Sequence, residues 1–330
     1  MRPESVELLR SPGTQSTLHI RSVAEEERQE IKTGELFAEP SGPAFPIINF
    51  IPRFVRDDSY TASFGEQWNR YRRTQLDRFN GTTLSRDRLF EGTGWKPDEL
   101  VGQNVLEAGC GAGRFTQVLL DAGANLCTLD YSSAVDASWA NNGPHERLTL
   151  VQADLFKIPY PLDFFDKVFC YGVLQHTPDP KRGFMSLVPH LKSGGKLAVD
   201  LYRKMPWITR WTAKYWYRPV TKRMSRDLLR RFVEWYIPRW LPIDNALQRV
   251  RVLRYAVPAI VPCWNYTGML PLTSEQIESW AILDTFDALS PRYDSPQTKE
   301  TLSAWCDEAG LVDVQIQAAG NGLVCNARKP

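Results

Sequence analysis

The sequence predicts an α/β fold in which helices cover both faces of a doubly wound, mostly parallel sheet. Two observations support this prediction. Short apolar stretches that end in glycine or aspartate recur between residues 104 and 202, with helical patterns between them. The first of these stretches leads into a glycine-rich turn, residues 109–113, which opens a helix. A strand, a glycine-rich turn and a helix in this order form a cradle for a nucleotide.

The glycine-rich turn reads GCGAG, and Glu107 stands just ahead of it. Gly109 and Gly111 can adopt backbone angles closed to other residues, so the chain can approach a ligand closely, and Gly113 allows close helix packing. A dinucleotide fingerprint would read GxGxxG, but position 114 is Arg114 and the spacing here is GxGxG. The turn resembles the first motif of class I S-adenosylmethionine-dependent methyltransferases.

Further strands are predicted at residues 124–130 and 148–154. Asp130 ends the first of them, 19 residues after the middle glycine of the turn. A Rossmann-type fold carries its ribose-binding acid at this distance. The resemblance places Asp154 and Leu155, at the end of the other strand, beside the adenine ring.

The last two parallel strands are predicted at residues 166–172 and 197–202. Residues 173–180 follow the fourth strand and resemble the LxHxxDP stretch of small-molecule methyltransferases of the ubiquinone-biosynthesis type. His176 is the candidate general base for a hydroxyl or acidic carbon, although it could instead bond the backbone of its own turn. Tyr171 is a weaker candidate for the catalytic donor or base.

The resemblance implies that the chain binds S-adenosylmethionine as cofactor, in a seven-stranded Rossmann-like sheet whose last strand is antiparallel. It assigns the cofactor's ammonium to Glu107, its ribose hydroxyls to Asp130 and its adenine amino group to Asp154. Arg114 could meet the cofactor's carboxylate or lie exposed on the first helical turn. The candidate cofactor-binding residues are Glu107, Gly109, Gly111, Gly113, Asp130, Asp154 and Leu155.

The composition limits the classes of protein to which this sequence can belong. With 330 residues, 43% of them hydrophobic, the chain can bury a full core and has room for extra modules. With a net charge of only +2, the chain lacks the large overall positive charge that is typical of nucleic-acid-binding proteins. We expect a cytoplasmic protein, since no apolar signal core or spanning stretch is evident. The six cysteines lack CxxC spacing, so we expect buried, reduced thiols and no metal.

Residues 1–56 are predicted to form a separate N-terminal segment. Residues 45–54, FPIINFIPRF, resemble the end of a small zinc-ribbon module of the Trm112 type. The four positions that would hold the zinc thiolates fall on Ser11, Thr14, Ala38 and Ser41. Because hydroxyls are poor zinc ligands, we expect this degenerate segment to be free of metal. A loose tail over residues 1–40 is the alternative.

The methyltransferase core is predicted at residues 57–202 and begins with helices that precede its first strand. Tyr60, Phe64 and Trp68 recur at four-residue spacing and so share one helical face. That face is either part of the core or part of a ligand pocket. Residues 298–330 are predicted to complete the core with a last helix and a hairpin.

Residues 203–297 are an insertion that the basic fold does not need, and we expect a helical cap over the substrate. Its first part, residues 203–231, holds ten Lys or Arg against one acid, and five aromatics. Such a segment could lie at a membrane surface, bind a polyanion, or be a cap helix whose aromatics pack on the catalytic domain. Residues 284–294 are predicted to form a polar loop.

Within that basic segment, Trp207, Trp211 and Tyr215 form a stripe at four-residue spacing. If the segment docks on a membrane, this stripe is expected to enter the interface. If the segment is a cap helix, the stripe is expected to face the catalytic domain.

The sequence therefore predicts a methyltransferase acting on a small or lipid-like metabolite, with peripheral membrane contact through residues 203–231 as an option. The alternatives are an RNA or protein methyltransferase and a cofactor-binding subunit without catalysis. Residues 171–174 read YGVL, where enzymes that methylate exocyclic base amines carry Asn or Asp, two prolines and an aromatic residue. This departure argues against a nucleic-acid substrate. The oligomeric state stays open.

Overall fold

The computed structural model describes residues 1–39, 42–55, 61–205, 212–320 and 322–330. Within these ranges the chain forms a small antiparallel sheet, a larger mixed sheet and a set of helices around the larger sheet. The larger sheet and its helices position the candidate site. Tyr60, Trp207 and Trp211 lie outside the described residues, so the structure does not test their predicted stripes in full.

The small sheet occupies the N-terminal segment. Its strands pair in the order β1 (Leu18–Glu27), β2 (Glu30–Ala38), β3 (Ala44–Ile48) and β4 (Ile51–Pro52). A short 3-10 helix, Pro3–Leu8, precedes them, and Leu9 and Leu36 are fully buried in the core that the segment shares with the larger sheet. The alternative of a loose tail is therefore wrong for residues 1–39.

Arg53 joins this segment to the larger unit. Its Nη2 lies 2.6 Å from Asp136 Oδ1, and its Nη1 donates to Gln152 Oε1 at 3.0 Å. The backbone amide of Phe54 donates to the Gln152 carbonyl at 2.8 Å, which extends the contact along the main chain. A partly buried ion pair flanked by hydrogen bonds is strong, so the segment is held firmly in place.

The larger sheet follows the predicted plan. In chain order its strands are β5 (Asn104–Ala108), β6 (Asn125–Asp130), β7 (Leu148–Gln152), β8 (Phe165–Cys170), β9 (Leu191–Leu201), β10 (Val312–Ala319) and β11 (Gly322–Arg328). Their spatial order is β10-β11-β9-β8-β5-β6-β7; β5 to β9 run parallel, and β11 is antiparallel to both of its neighbours. The predicted fold class is confirmed. The order reverses between β5 and β8, where such sheets bind ligands at their carboxyl edge.

Helices cover both faces of this sheet. Those ahead of it are α1 (Ala62–Arg70), α2 (Asp77–Asn80) and α3 (Leu84–Thr93). Those between the parallel strands are α4 (Arg114–Asp121), α5 (Ala134–Asn142) and α6 (Pro180–Leu187). The insertion contributes α7 (Ala213–Thr221), α8 (Arg226–Leu247), α9 (Leu253–Ile260) and α10 (Ser274–Leu289), and α11 (Lys299–Glu308) precedes the final hairpin. No helix in the described ranges combines the length and apolar character that a membrane crossing needs.

Helix α10 corrects one prediction. Residues 284–289 belong to this helix and not to a loop. The helix begins with a capping box in which Thr273 and Gln276 bond each other's backbone, and its apolar side chains pack on α8. Asp284 and Asp287 made this stretch look like a polar loop. Both find polar partners inside the molecule, and so they can lie on a helix.

Helix α7, in the basic segment 203–231, buries part of its side chains in the protein, while Trp216 and Tyr217 are 47% and 42% exposed. Lys214 and Arg218 are buried on α7 and pair with Asp294. Arg218 also donates to the backbone carbonyls of Ala288 and Pro291, and the Tyr215 hydroxyl donates to Asp294 at 3.0 Å. The partners Asp294, Ala288 and Pro291 belong to the insertion itself. The cap interpretation, which leaves the charges of this segment solvated, is therefore wrong for Lys214 and Arg218.

Packing of α8 on α10 yields a stability prediction. Ile237 is fully buried in this contact, whereas Ile243, on the same helix, is 49% exposed. Ile237→Ala should lower the free energy of unfolding by about 2–5 kcal/mol, because it leaves a cavity. Ile243→Ala should change it by no more than about 0.5 kcal/mol. Urea unfolding of both variants measures the difference, and equal losses would contradict the packing.

Candidate functional site

The glycine-rich turn between β5 and α4 requires its glycines. Gly109, Gly111 and Gly113 have φ values of +84°, +52° and +85°, a region that side chains disfavour. A Cβ on Gly109 would lie 2.1 Å from Val173, and one on Gly113 would lie 2.1 Å from the Asn142 amide. At positions 109 and 113 the turn can therefore keep this shape only with glycine.

Asp130, at the end of β6, holds the turn in place. Its Oδ2 accepts a hydrogen bond from the Gly111 amide at 2.9 Å. Its Oδ1 accepts from the amide and the hydroxyl of Ser132 at 2.8 and 2.7 Å. Burial raises the pKa of Asp130, while these donors lower it. The acid predicted to bind ribose is thus fixed beside the glycine-rich turn.

Glu107, the last acid of β5, lies below the turn and is 1% exposed. Its Oε2 accepts hydrogen bonds from the hydroxyls of Thr116 at 2.6 Å and Thr128 at 3.0 Å. Its Oε1 is buried and has no partner within the described residues. Burial raises the pKa of Glu107 from 4.5 to about 7. A buried carboxylate oxygen without a donor is suited to receive one from a ligand.

Asp154 and Leu155 follow β7, as predicted. The Asp154 carboxylate caps a short 3-10 helix by accepting from the Phe156 amide at 2.9 Å. Leu155 is 6% exposed, its carbonyl accepts from the Ser186 hydroxyl, and its side chain lies against Gly183 at the start of α6. The second carboxylate oxygen of Asp154 takes no part in this cap.

His176 lies after β8 on the same carboxyl edge. The imidazole is 7% exposed and stands between two aromatic rings, with centroids 5.2 Å from Phe64 and 5.4 Å from Tyr202. Its Nδ1 is 3.1 Å from the carbonyl oxygen of Tyr293. A carbonyl can only accept, so Nδ1 carries the proton and Nε2 is the basic nitrogen of the neutral ring. Burial lowers the pKa of His176.

Helix α1 covers the glycine-rich turn. The indole of Trp68 lies 3.3 Å from the position that a Cβ on Gly111 would take. One turn earlier, Phe64 contacts His176. Of the two options for this aromatic face, the structure therefore places its described members at the edge of the site.

Two carboxylates of α10, missed at the sequence level, face the same region. Asp287 accepts from the Gln67 amide at 3.4 Å, and its charge raises the pKa of His176 against the effect of burial. Asp284 accepts from Tyr266 at 2.5 Å, and burial raises its pKa. Their spacing of three residues, which places two carboxylates on one side of a helix, was the available signal, but it is also typical of an exposed face.

The structure places two candidate site residues, Tyr171 and Arg114, away from His176. Tyr171 packs its ring on Phe169 at 4.3 Å, its hydroxyl is buried beside Gly92 without a hydrogen-bond partner in the described residues, and burial raises its pKa. Arg114 is partly buried and donates to Gln75 Oε1 at 2.6 Å, and burial lowers its pKa to about 9. The option of an exposed Arg114 is thus wrong.

A metal site was not expected. Among the described residues, no group of three or more His, Cys, Asp or Glu side chains could hold a metal ion. Of the four positions aligned with zinc ligands, Ser41 lies outside the described residues, and Ser11 and Ala38 are buried.

The strands and turns just described fall within a segment with known relatives. Residues 106–199 match the family described as Methyltransferase domain. They are a methyltransferase domain. The prediction made from the glycine-rich turn is confirmed to this extent, and the Trm112-like origin of the N-terminal segment stays a prediction.

The names of relatives of this segment indicate different substrates. Over 100 residues the chain is 30% identical to a ubiquinone biosynthesis O-methyltransferase of Coxiella burnetii, and the match covers 30% of this chain and 43% of that enzyme. Over 106 residues it is 33% identical to a tRNA U34 carboxymethyltransferase of Shewanella putrefaciens, and the match covers 31% of this chain and 32% of that enzyme. The chain thus spans less than half of the length of these relatives.

Solved structures resemble the chain more loosely. A magnesium protoporphyrin IX methyltransferase of Synechocystis, with bound SAH, matches 82% of this chain and 97% of its own at 15% identity and a TM-score of 0.44. An S-adenosylmethionine-dependent methyltransferase of Mesorhizobium loti matches 73% and 97% at 16% identity and a TM-score of 0.44.

The buried Glu107 yields a prediction about pH. Between pH 4.5 and about 7 the unfolded chain loses the carboxyl proton that the folded chain retains. Stability contributed at this site is therefore full below 4.5 and declines as the pH rises, by up to about 3 kcal/mol. Glu107→Gln should remove this decline. Urea unfolding across the window, for both proteins, measures it, and parallel pH curves would contradict the assignment.

Proposed function

We propose that the chain is an S-adenosylmethionine-dependent methyltransferase. The observation that carries the proposal is the turn at residues 109–113, with Asp130 bonded to it, within a segment that matches the methyltransferase domain family. Glu107 Oε1, buried without a donor, fits the cofactor's ammonium group, Asp130 fits its ribose hydroxyls, and Asp154 fits its adenine amino group. Leu155 would contact the adenine ring.

The bound cofactor would supply an electrophilic methyl group on a positively charged sulfur. The chain's own task is then to position an acceptor, exclude water and remove a proton. His176 Nε2 accepts the proton of an acceptor hydroxyl, and Asp287 stabilises the resulting imidazolium through its charge. Phe64 and Tyr202 flank the imidazole and keep water away from it. This arrangement supports methylation of oxygen.

The acceptor class follows from what surrounds His176. Aromatic rings and the buried face of α10 enclose it, which suits a small or lipid-like molecule with a hydroxyl group. The relative from Coxiella burnetii is an O-methyltransferase by name, which agrees with this class. Tyr171 has no part in the proposed chemistry, because its hydroxyl lies in the core.

The other parts of the chain have proposed roles around this core. Residues 1–56 are a metal-free descendant of a zinc-ribbon module, and residues 57–202 with 298–330 form the catalytic unit. Residues 203–297 are a cap over the acceptor, a role supported by the placement of Asp284 and Asp287 on α10.

Methyl transfer can be tested directly. Purified protein with methyl-labelled S-adenosylmethionine is incubated with metabolite extract, lipid extract, RNA and protein in separate reactions. We expect label in the metabolite or lipid fraction only. Label in RNA or protein would instead assign a macromolecular acceptor, and cofactor binding without transfer to any fraction would favour a non-catalytic subunit.

Cofactor affinity should depend on the charge of Asp130. Asp130→Asn keeps an oxygen for the Gly111 amide but weakens charge-assisted bonds to ribose, so affinity for S-adenosylmethionine should fall about ten- to a thousandfold. Asp121→Asn, an exposed change at the end of α4, is the matched control and should leave affinity unchanged. Calorimetry measures both, and equal affinities would refute the ribose assignment.

Activity should depend on pH through His176. Since burial lowers its pKa, kcat/KM should decline only below the ordinary histidine value of 6.5, where the imidazole gains a proton. Asp287→Asn removes a charge that raises this pKa, so the decline should move to lower pH while kcat falls. His176→Gln should abolish the acid limb and most of the activity. An unchanged profile in both variants would exclude His176 as the base.

A further inference from the structure

Helix α8 carries apolar side chains on two opposite faces. Its inner face, with Val233 and Ile237, is buried against α10. On the opposite side, large apolar side chains remain about half exposed: Leu228 at 56%, Phe232 at 48%, Trp235 at 55% and Ile243 at 49%. A contiguous exposed patch of this kind is uncommon on a monomeric surface and marks an interaction site.

These exposed side chains form one ordered stripe, which we call the outer face of α8. It consists of Leu228, Phe232, Trp235, Arg239 and Ile243, whose spacing places them on one side of a helix, with the partly buried Tyr236 at its margin. Phe232 stacks on Tyr236 with ring centroids 5.6 Å apart and an interplanar angle of 4°. The Arg239 guanidinium lies over the Trp235 ring, 5.0 Å from its centroid.

The segment that carries the outer face is rich in exposed positive charge. Eight cations in residues 222–254 are exposed: Lys222, Arg223, Arg226, Arg231, Arg239, Arg249, Arg251 and Arg254. Over the same residues, all of which the structure describes, the three acids are already engaged. Asp227 and Glu234 pair with Arg230, and Asp244 is buried and bonded to Asn265. The charge complement of this surface is therefore anionic.

The chemistry favours a membrane over a nucleic acid. Bases would need free ring faces on which to stack, but Phe232 and Tyr236 stack on each other and Arg239 covers Trp235. Aliphatic groups such as Leu228 and Ile243 have no partner on a nucleic acid, whereas the acyl boundary of a bilayer can bury them. Trp and Tyr favour this boundary, and arginines favour the headgroups.

We propose that the outer face of α8 docks on an anionic membrane surface, with the helix lying in the plane of the interface. This inference is independent of the proposed methyl transfer. It also narrows the sequence prediction, which placed membrane contact in residues 203–231, to the end of that segment, and extends the contact along the rest of α8. Lys214 and Arg218 of that segment are buried, so the docking surface moves to α8 and its neighbouring arginines.

Vesicle co-sedimentation of the full chain tests the proposal. The vesicles are phosphatidylcholine alone and phosphatidylcholine with phosphatidylglycerol, each at low and high salt. We expect sedimentation with the phosphatidylglycerol vesicles at low salt and much less at high salt or with phosphatidylcholine alone. Failure to sediment with anionic vesicles at low salt, or equal binding to both compositions, would overturn it.

A charge variant tests the surface itself. Arg231→Gln combined with Arg239→Gln should weaken partitioning about thirtyfold, since each cation near the headgroups contributes about a factor of five. The matched control, Arg21→Gln with Arg28→Gln, removes two exposed cations from the N-terminal sheet and should not weaken it. Equal partitioning of the two double variants would overturn the proposal.

An aromatic variant tests insertion. Trp235→Ser should weaken partitioning roughly tenfold or more, because an exposed ring no longer enters the interface. Phe79→Ser is the matched control, since Phe79 is 42% exposed and likewise lies under an arginine, Arg73 at 4.8 Å. Thermal unfolding confirms that each variant folds. If these variants dissociate a dimer but leave vesicle binding unchanged, the outer face binds a second copy of the chain and not a membrane.

Discussion

Helix α10 must satisfy two environments at once, and the arrangement of the site depends on this constraint. One side packs Ala281, Ile282 and Phe286 against α8. Another side presents Asp284 and Asp287 to polar groups that come from the segment ahead of the sheet, among them Gln67. If the apolar contact were lost, the carboxylates would lose their positions beside His176. The insertion is thus a structural part of the candidate site.

Buried charge recurs around this helix. Asp287 and Asp294 lie near Lys214 and His176. Burial lowers the pKa of Lys214 and the pKa of His176, and the charges of these two acids raise both. Such groups are costly unless they are paired, so the network restrains α7, α10 and the loop that follows. A neutral imidazole beside a carboxylate can accept a proton, and the carboxylate stabilises the imidazolium that results.

The two faces of α8 connect the interior with the surface. Its inner face fixes α10, and its outer face carries the aromatic and cationic stripe. A helix docked on a bilayer by that stripe would hold α10 on its protein side, close to the interface.

The sequence by itself determined the sheet and the glycine-rich turn, because local patterns dictate them. Five apolar stretches predicted β5 to β9, and the glycines at positions 109, 111 and 113 are visible without any tertiary contact. Tertiary structure alone decided which side chains meet. Asp287 joins His176 across more than a hundred residues, Tyr171 turns into the core, and Lys214 is buried although its segment looked like a solvated basic face. Such outcomes depend on the partner that each side chain finds, and sequence spacing does not encode that partner.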